Sequence, residues 1–243
     1  MTILNKDLRR RILEKGAEMK NGHLGPSLSC LDCVKYLYDH ILREEVDLFI
    51  MSKGHGEMAL FSVLESKGKK PNWTLHLNYN EEEGIYATTG SLGHGLPIGL
   101  GRALAKRIKG EDGNIYVLLG DGEMEEGSNW EALTLANRFQ IDNLTLLIDY
   151  NKYQAVGKVK KIANIDNCSL SKRLEAFGCK VKSINGHDEK ELSKLKYLKG
   201  GLNAIILDTV KGKGVKLLEE NHAHVFYLDP NMKEYKNALK ELK

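Results

Sequence analysis

The segment from Asn114 to Gln154 constrains the fold of this chain more than any other segment. It begins with an apolar run, Ile115–Leu119, which is typical of a strand buried on both faces. The run ends at Gly120-Asp121-Gly122, where the glycines allow a sharp turn and the close approach of a ligand. Apolar residues at helical spacing follow from Trp130 to Phe139, and a second apolar run covers Leu144–Ile148. This order predicts a strand, an acidic turn, a helix and a second strand.

The lengths of these elements predict that the two strands are parallel. A helix of about 15 residues rises about 22 Å, and a strand of about seven residues rises about 23 Å. The helix therefore returns the chain by one strand length, with a right-handed crossover expected. Asp121 and Asn151 follow the two strands and should meet at the carboxyl edge of one sheet, where open α/β sheets bind ligands. An aspartate at such a turn often only caps the next helix, but the matching asparagine favours a site for Mg²⁺ or Ca²⁺.

Length and composition indicate one large soluble α/β domain. The chain has 243 residues, of which 42% are apolar and 28% charged. No apolar run approaches the ~20 residues of a membrane span, and the N-terminus lacks the apolar core of a signal peptide. The net charge of +3 comes from dispersed lysines, which we interpret as solvated faces. We therefore expect a cytoplasmic protein without a membrane or nucleic-acid partner.

The pair Cys30-Leu-Asp-Cys33 is the one cysteine motif in the sequence. A zinc site would need a second pair, and none follows. The pair falls in a segment, 28–41, that has the pattern of an amphipathic helix. Buried, reduced thiols are the preferred interpretation.

The remaining elements are predicted from periodicity and from glycine breaks. Residues 68–87 are irregular, and residues 209–229 form a loop long enough to indicate function. His40 and His187 lie outside any motif and are interpreted as surface residues. The predicted helices cover 5–20, 28–42, 56–67, 92–109, 188–198 and 231–242, and the further strands cover 47–51, 179–184 and 203–208.

Several segments, in order along nearly the whole chain, resemble motifs of the transketolase family. The segment 114–154 itself resembles the thiamine-diphosphate motif, which begins with Gly-Asp-Gly and ends with Asn about 30 residues later. The other matching segments are Asn21–Gly25, Met51–Gly56, Thr88–Gly95, Ile148–Gln154 and Thr209–Gly214. Their combination is far more specific than any one of them, and the chain resembles the N-terminal half of a transketolase.

There are two departures from the family pattern. His94 stands where transketolases usually have Gln, which puts ordinary sugar specificity in doubt. The usual histidine before Thr-Thr-Gly is not cleanly placed, and His76 is the nearest candidate.

The resemblance implies a three-layer thiamine-diphosphate-binding fold, an α/β fold with a mostly parallel sheet and helices on both faces. Residues 1–243 would form a single diphosphate-binding domain. The pyrimidine-binding domain follows in the family and is expected here on a separate chain, the C-terminal transketolase subunit. The implied assembly has two copies of each chain, with the apolar surfaces around 90–105 and 124–138 facing the interface.

The resemblance also implies a set of site residues. Asp121, Asn151 and the backbone carbonyl of Tyr153 would bind Mg²⁺ or Ca²⁺, and His23, His55 and His94 are the implied catalytic residues. Residues implied to bind thiamine diphosphate, or to join the acidic network beside it, are His55, Gly90, Leu92, Gly120, Asp121, Gly122, Glu126, Asn151, Lys211 and His224, with His222 as an alternative to His224.

The implied reaction is transfer of a two-carbon ketol unit from a ketose to an aldose, with sugars or sugar phosphates as substrates. Two alternatives stay open. One is another thiamine-diphosphate enzyme, either 1-deoxyxylulose-phosphate synthase-like or 2-oxo-acid decarboxylating. The other is a non-catalytic binding subunit. The paired histidine loops and the segment Thr209–Gly214 favour transketolase.

Overall fold

The computed structural model describes residues 3–197, 200–221, 223 and 225–243. None of the helices within these ranges is both long enough and apolar enough to cross a membrane. The helices are α1 (Lys6–Glu18), α2 (Leu24–His40), α3 (Glu57–Ser66), α4 (Gly95–Lys109), α5 (Gly127–Arg138), α6 (Val159–Ala163), α7 (Asn167–Ala176), α8 (Glu189–Leu192), α9 (Lys216–Glu220) and α10 (Lys233–Glu241). The strands are β1 (Leu48–Met51), β2 (Ile115–Gly120), β3 (Leu144–Tyr150), β4 (Tyr153–Gln154), β5 (Gly157–Lys158), β6 (Lys180–Asn185) and β7 (Asn203–Asp208).

Within the described residues, five strands form one parallel sheet in the order β1-β2-β3-β7-β6. The strands β2 and β3 lie side by side in the sheet, with Gly120 opposite Asp149. Every residue of β2 and β3 is buried, as expected for parallel strands that are covered on both faces. The predicted strand–turn–helix–strand unit and its parallel geometry are confirmed.

Helices cover both faces of the sheet. Successive residues of a strand point to opposite faces, and the hydrophobic core is divided accordingly. Leu118 packs in a cluster with residues of α1, α2 and α3, whereas Val117 and Leu119 pack in a second cluster with residues of α4, α5 and α7. The predicted α/β fold with three layers is confirmed. Because both faces are closed, a ligand must approach the sheet at an edge.

The helix α2 is longer and more deeply buried than its sequence predicted. It begins at Leu24 instead of residue 28, and nearly every residue as far as Leu37 is buried. The amphipathic interpretation was therefore wrong, because α2 packs between α1, α3 and α8 and has little solvent-facing surface. The interpretation of the cysteine pair is confirmed: Cys30 and Cys33 are free and buried. Burial raises the pKa of the Cys30 thiol to about 12.

The helix α4 begins at Gly95, three residues later than predicted. The backbone before it includes Gly90 and Gly93 at φ values of 148° and 81°, which a helix does not contain. The glycine loop is therefore separate from the helix.

The C-terminal third also differs from expectation. The predicted helix 188–198 is only the short α8, and a 3₁₀ turn, Ser193–Tyr197, follows it. Leu192 at the end of α8 and Leu195 in the 3₁₀ turn are buried, and their spacing of three suits the tighter turn. The predicted loop 209–229 contains the helix α9.

His187 is buried, so its prediction as a surface residue was wrong, whereas His40 is exposed as predicted. The ring Nδ1 of His187 lies 2.8 Å from Asp32 Oδ2. Its Nε2 accepts a hydrogen bond of 2.9 Å from the backbone N–H of Val210. This histidine therefore ties the segment after β7 to helix α2.

Candidate active site

A cavity of about 260 Å³ opens at the carboxyl edge of the sheet. The segments that follow β1, β2, β3 and β7 all contribute to it, because the carboxyl ends of parallel strands meet at one edge. Its lining residues are His23, Pro26, His55, His76, Gly90, Leu92, Gly120, Asp121, Gly122, Glu123, Asn151, Tyr153, Gln154, Ala155 and Lys211. Most of the site residues that the sequence predicted are brought together here.

Asp121 is held at the end of β2 with almost no exposure to solvent. Its Oδ1 accepts a hydrogen bond from the N–H of Gly122 at 2.8 Å, and its Oδ2 accepts one from the N–H of Lys152 at 2.5 Å. Burial, followed by the negative charge of Asp149, raises the pKa of Asp121 to about 7. Within the described ranges Asp121 forms no ion pair. A cation beside this carboxylate would therefore be strongly favoured.

Asn151 lies next to Asp121 at the end of β3, and its amide orientation is defined. Its Nδ2 donates to Asp149 Oδ2 at 3.1 Å, and its Oδ1 accepts from the N–H of Tyr153 at 3.1 Å. The intervening Lys152 has a positive φ of 74°, which turns the chain back over the sheet edge. Carboxylate, amide and carbonyl oxygens are the donors that Mg²⁺ and Ca²⁺ prefer.

Three histidines lie on one side of the cavity. The ring centroid of His23 is 6.2 Å from that of His55 and 5.1 Å from that of His76. The ring of His76 packs on Gly90, where an added Cβ would lie 3.0 Å from its Cγ. Sequence reasoning named His76 only as the nearest candidate for the family's histidine before Thr-Thr-Gly, because it lies in an irregular segment and its flanks do not match the family. Its distance in sequence from Thr-Thr-Gly was the available signal.

Glu123 is a site residue that sequence reasoning missed. Its carboxylate is buried and accepts hydrogen bonds from the hydroxyl of Ser52, from the N–H of Gly93 at 3.0 Å and from the N–H of Gly120 at 3.2 Å. It therefore joins the loops that follow β1 and β2 to the glycine loop before α4. The acidic run in which it stands has the pattern of a solvated turn, which concealed the residue.

Lys211 brings positive charge to the cavity from the segment after β7. Burial, followed by the positive charge of Lys53, lowers the pKa of Lys211 to about 8, so the ammonium is mostly charged at pH 7. Gly25 allows its close packing, since an added Cβ there would lie 3.2 Å from the lysine side chain. The N–H of Gly212 donates to the carbonyl of Gly25 at 3.0 Å. A buried ammonium held in this way suits an anionic ligand.

Some predicted site residues are not part of this cavity. His94 and Glu126 are exposed on the surface where α4 and α5 begin, and neither lines the cavity. Their predicted roles stay predictions. His224 and its alternative His222 lie outside the described residues.

A family model described as "Transketolase, thiamine diphosphate binding domain" matches residues 5–239. The chain belongs to the transketolase family. One subunit of an apulose-4-phosphate transketolase from Phocaeicola vulgatus is 34% identical over 258 residues, which cover 96% of this chain and 90% of that relative. One subunit of a 6-deoxy-6-sulfo-D-fructose transketolase from Clostridium sp. is also 34% identical, over 97% of this chain and 93% of its own length.

Solved transketolase structures have the same fold. The transketolase of Campylobacter jejuni superposes with a TM-score of 0.79 at 28% identity, over 98% of this chain. The matched region is 41% of that chain, so this protein spans about two fifths of the transketolase in question. The predicted family is therefore confirmed.

The cavity fits the cofactor of the transketolase family, whose function is ketol transfer with thiamine diphosphate. Asp121 and Asn151 provide hard oxygen donors, and Lys211 provides the opposite charge for a phosphate group. The turn at Gly122 leaves no room for a side chain, because an added Cβ would lie 2.7 Å from that of Gln154. The backbone can therefore come close to a diphosphate.

Proposed function

We propose that this chain is the diphosphate-binding subunit of a two-chain transketolase. It transfers a two-carbon ketol unit from a ketose to an aldose, with thiamine diphosphate and Mg²⁺ as cofactors. The observation that carries this proposal is the convergence of Asp121 and Asn151 on one sheet edge, beside a cluster of histidines and Lys211. Hard oxygen donors, a buried ammonium and proton-transfer groups are the parts that this reaction needs.

The residues divide into four roles. Asp121, Asn151 and the backbone carbonyl of Tyr153 would hold the metal, and Lys211 would bind the diphosphate. When bound, thiamine diphosphate supplies the nucleophile and the electron sink for the chemistry of the carbonyl group. His23 would hold the reacting hydroxyl of the sugar and accept its proton. His55, His76 and the glycine loop would orient the ligand.

A second polypeptide completes this site in our proposal. Two relatives of nearly the same length as this chain are named as subunits of transketolases. The cavity of about 260 Å³ is smaller than the roughly 300–1,000 Å³ of typical ligand pockets. Apolar side chains are also exposed along α4 and at the end of α5, namely Ile98, Leu135 and Phe139. We propose that these surfaces contact partner chains in an assembly of two plus two subunits.

We also propose a class of substrate and a cytoplasmic location. The names of the two relatives contain a phosphorylated and a sulfonated sugar. We propose a ketose of this type, a sugar with an anionic group, as the donor or product. The described cysteines are all free, which agrees with the reducing conditions of the cytoplasm.

Calorimetric titration of the two-chain complex with thiamine diphosphate and Mg²⁺ tests the metal site. Asp121→Asn and Asn151→Ala should each abolish metal-dependent binding of the cofactor. Asp142→Asn is the matched control, because this exposed residue precedes β3 at the opposite edge of the sheet. Normal affinity in both site variants would contradict the assignment.

An activity assay separates the candidate functions. The complex should transfer a ketol unit between a ketose and an aldose, and it should not consume pyruvate. Pyruvate-driven turnover would instead support a 1-deoxyxylulose-phosphate synthase-like or decarboxylating enzyme. Failure to bind thiamine diphosphate in the presence of the partner would support a non-catalytic subunit.

A further inference from the structure

A buried carboxylate, that of Glu57, lies behind the histidines of the cavity. Glu57 is the first residue of α3 and is fully buried. Its Oε1 accepts a hydrogen bond of 2.6 Å from Asn21 Nδ2 and lies 3.2 Å from Nδ1 of His23. Its Oε2 has no hydrogen-bond partner among the residues that the structure describes. A buried carboxylate is costly unless a positive or polar group compensates it, which indicates a specific role.

The contact with Glu57 determines which nitrogen of His23 carries the proton. An ionised carboxylate only accepts hydrogen bonds, so Nδ1 of His23 must be the donor. Nε2 is then the nitrogen that can take up a further proton. Asn21 supports this arrangement by bonding to both residues. Its Nδ2 donates to Glu57, and its Oδ1 accepts from the backbone N–H of His23 at 2.9 Å.

His76 belongs to the same cluster. One ring nitrogen of His23, one of His76 and a carboxylate oxygen of Glu57 lie within 4.8 Å of one another. Nδ1 of His76 is buried and has no hydrogen-bond partner in the described ranges. A positive charge formed on His23 would therefore lie beside a second imidazole. Glu57 is the negative group that stabilises this charge.

We propose that Glu57 is a positioning residue for proton transfer by His23. This inference rests on the proposed function. A proton passes from a sugar hydroxyl to Nε2 of His23, and the electron pair of the O–H bond forms the new carbonyl group. Thiamine diphosphate, when bound, would supply the electron sink for the electron pair of the broken carbon–carbon bond. His23 becomes an imidazolium, and the carboxylate of Glu57 balances its charge, as in other carboxylate–histidine pairs.

The tautomer of His23 is the first test, and it needs no activity. The full chain is labelled with ¹⁵N-histidine, and His23→Gln identifies the His23 signals. In the wild-type protein, the neutral imidazole of His23 should carry its proton on Nδ1 and none on Nε2. Glu57→Ala should remove this preference. A wild-type His23 with a proton on Nε2 would overturn the inference, even if the variants fail to fold.

Kinetics of the two-chain complex provide the second test. Glu57→Gln keeps a hydrogen-bond acceptor for His23 but removes the charge. We expect kcat to fall at least tenfold, with the KM of the ketose and the affinity for thiamine diphosphate within about threefold of wild type. The matched control is Glu65→Gln on the same helix, whose half-exposed carboxylate pairs with Arg11. It should leave kcat unchanged.

The outcomes separate the possible failures. A wild-type complex without ketol transfer would refute the proposed function. The tautomer measurement needs no activity, so it would still test the contact between Glu57 and His23. Full activity in Glu57→Gln would overturn the role of its charge. The cluster of His23, Glu57 and His76 also has donor atoms that suit Zn²⁺. A Co²⁺ absorption band that is lost in Glu57→Gln would show a metal site and would also overturn our inference.

Discussion

A buried ion pair lies directly beneath the candidate metal site, and its removal is our most specific test of the structure. The side chains of Lys53 and Asp149 are both 0% exposed. Lys53 Nζ donates to Asp149 Oδ2 and, at 3.0 Å, to the carbonyl of Pro26. Asp149 also accepts hydrogen bonds from the hydroxyl of Ser29 at 2.6 Å and from that of Thr209. Burial alone would raise the pKa of Asp149, but Lys53 holds it below its ordinary value.

The substitution Lys53→Met removes the charge and keeps a side chain of similar length. It leaves Asp149 buried without its cation, and it removes one of the donors to the carbonyl of Pro26. Loss of one partner from a buried pair costs about 3–5 kcal/mol, a large share of the roughly 5–15 kcal/mol that stabilises a typical protein. At about 2–4 °C per kcal/mol for a chain of this length, Tm should fall by about 6–20 °C.

Urea denaturation of the metal-free chain measures the loss in the free energy of unfolding. The matched control is Lys35→Met, because Lys35 pairs with Asp39 on the surface, with side chains that are 22% and 26% exposed. That pair should contribute less than about 1 kcal/mol. Adding Asp149→Asn to Lys53→Met should recover part of the loss, because the uncompensated charge is removed.

The pH dependence provides an internal check. Without Lys53, the carboxylate of Asp149 becomes protonated more easily in the folded state than in the unfolded state. The difference in unfolding free energy between wild type and Lys53→Met should therefore be smaller at pH 5 than at pH 8. If Lys53→Met is no more destabilising than Lys35→Met, the buried pair does not have the strength that we infer from its geometry.

Three further predictions concern the site and its supports. The pKa of Asp121 is raised from 3.8 to about 7, so its protonated carboxyl group stabilises the metal-free fold at low pH, and this contribution is lost as pH rises through that range. The free energy of unfolding of Asp121→Asn, measured with urea, should therefore rise relative to that of wild type by up to about 4 kcal/mol between pH 4 and pH 8. Parallel curves of unfolding free energy against pH would contradict this. His187→Leu leaves the N–H of Val210 without its acceptor, so it should cost about 1–3 kcal/mol and speed hydrogen exchange at that amide, unless another acceptor replaces the ring. His94→Gln should change the relative rates of a panel of sugars without changing the affinity for thiamine diphosphate, and constant ratios would refute a role of His94 in specificity.

The meeting of Asp121 and Asn151 could be predicted from the sequence. Asp121 follows β2 and Asn151 follows β3, and the helix α5 between the two strands returns the chain, so local geometry brings both residues to the same edge. The family could also be identified from the sequence, by the order of the histidine and glycine motifs. Element boundaries were less certain where glycines separate a loop from a helix, as at Gly95.

Burial of charged and polar groups was decided only by the tertiary structure. Glu57 and Glu123 each follow a glycine, and Glu123 also stands in an acidic run, patterns that do not distinguish a solvated turn from a buried one. His187 had no motif, yet it bonds to Asp32, which is 155 positions away in the sequence. The partners that stabilise a buried charge come from distant segments, and the local sequence pattern does not contain them. The sequence by itself therefore determined the sheet, its ligand-binding edge and the family. Tertiary packing decided which buried charged groups contact the residues at that edge.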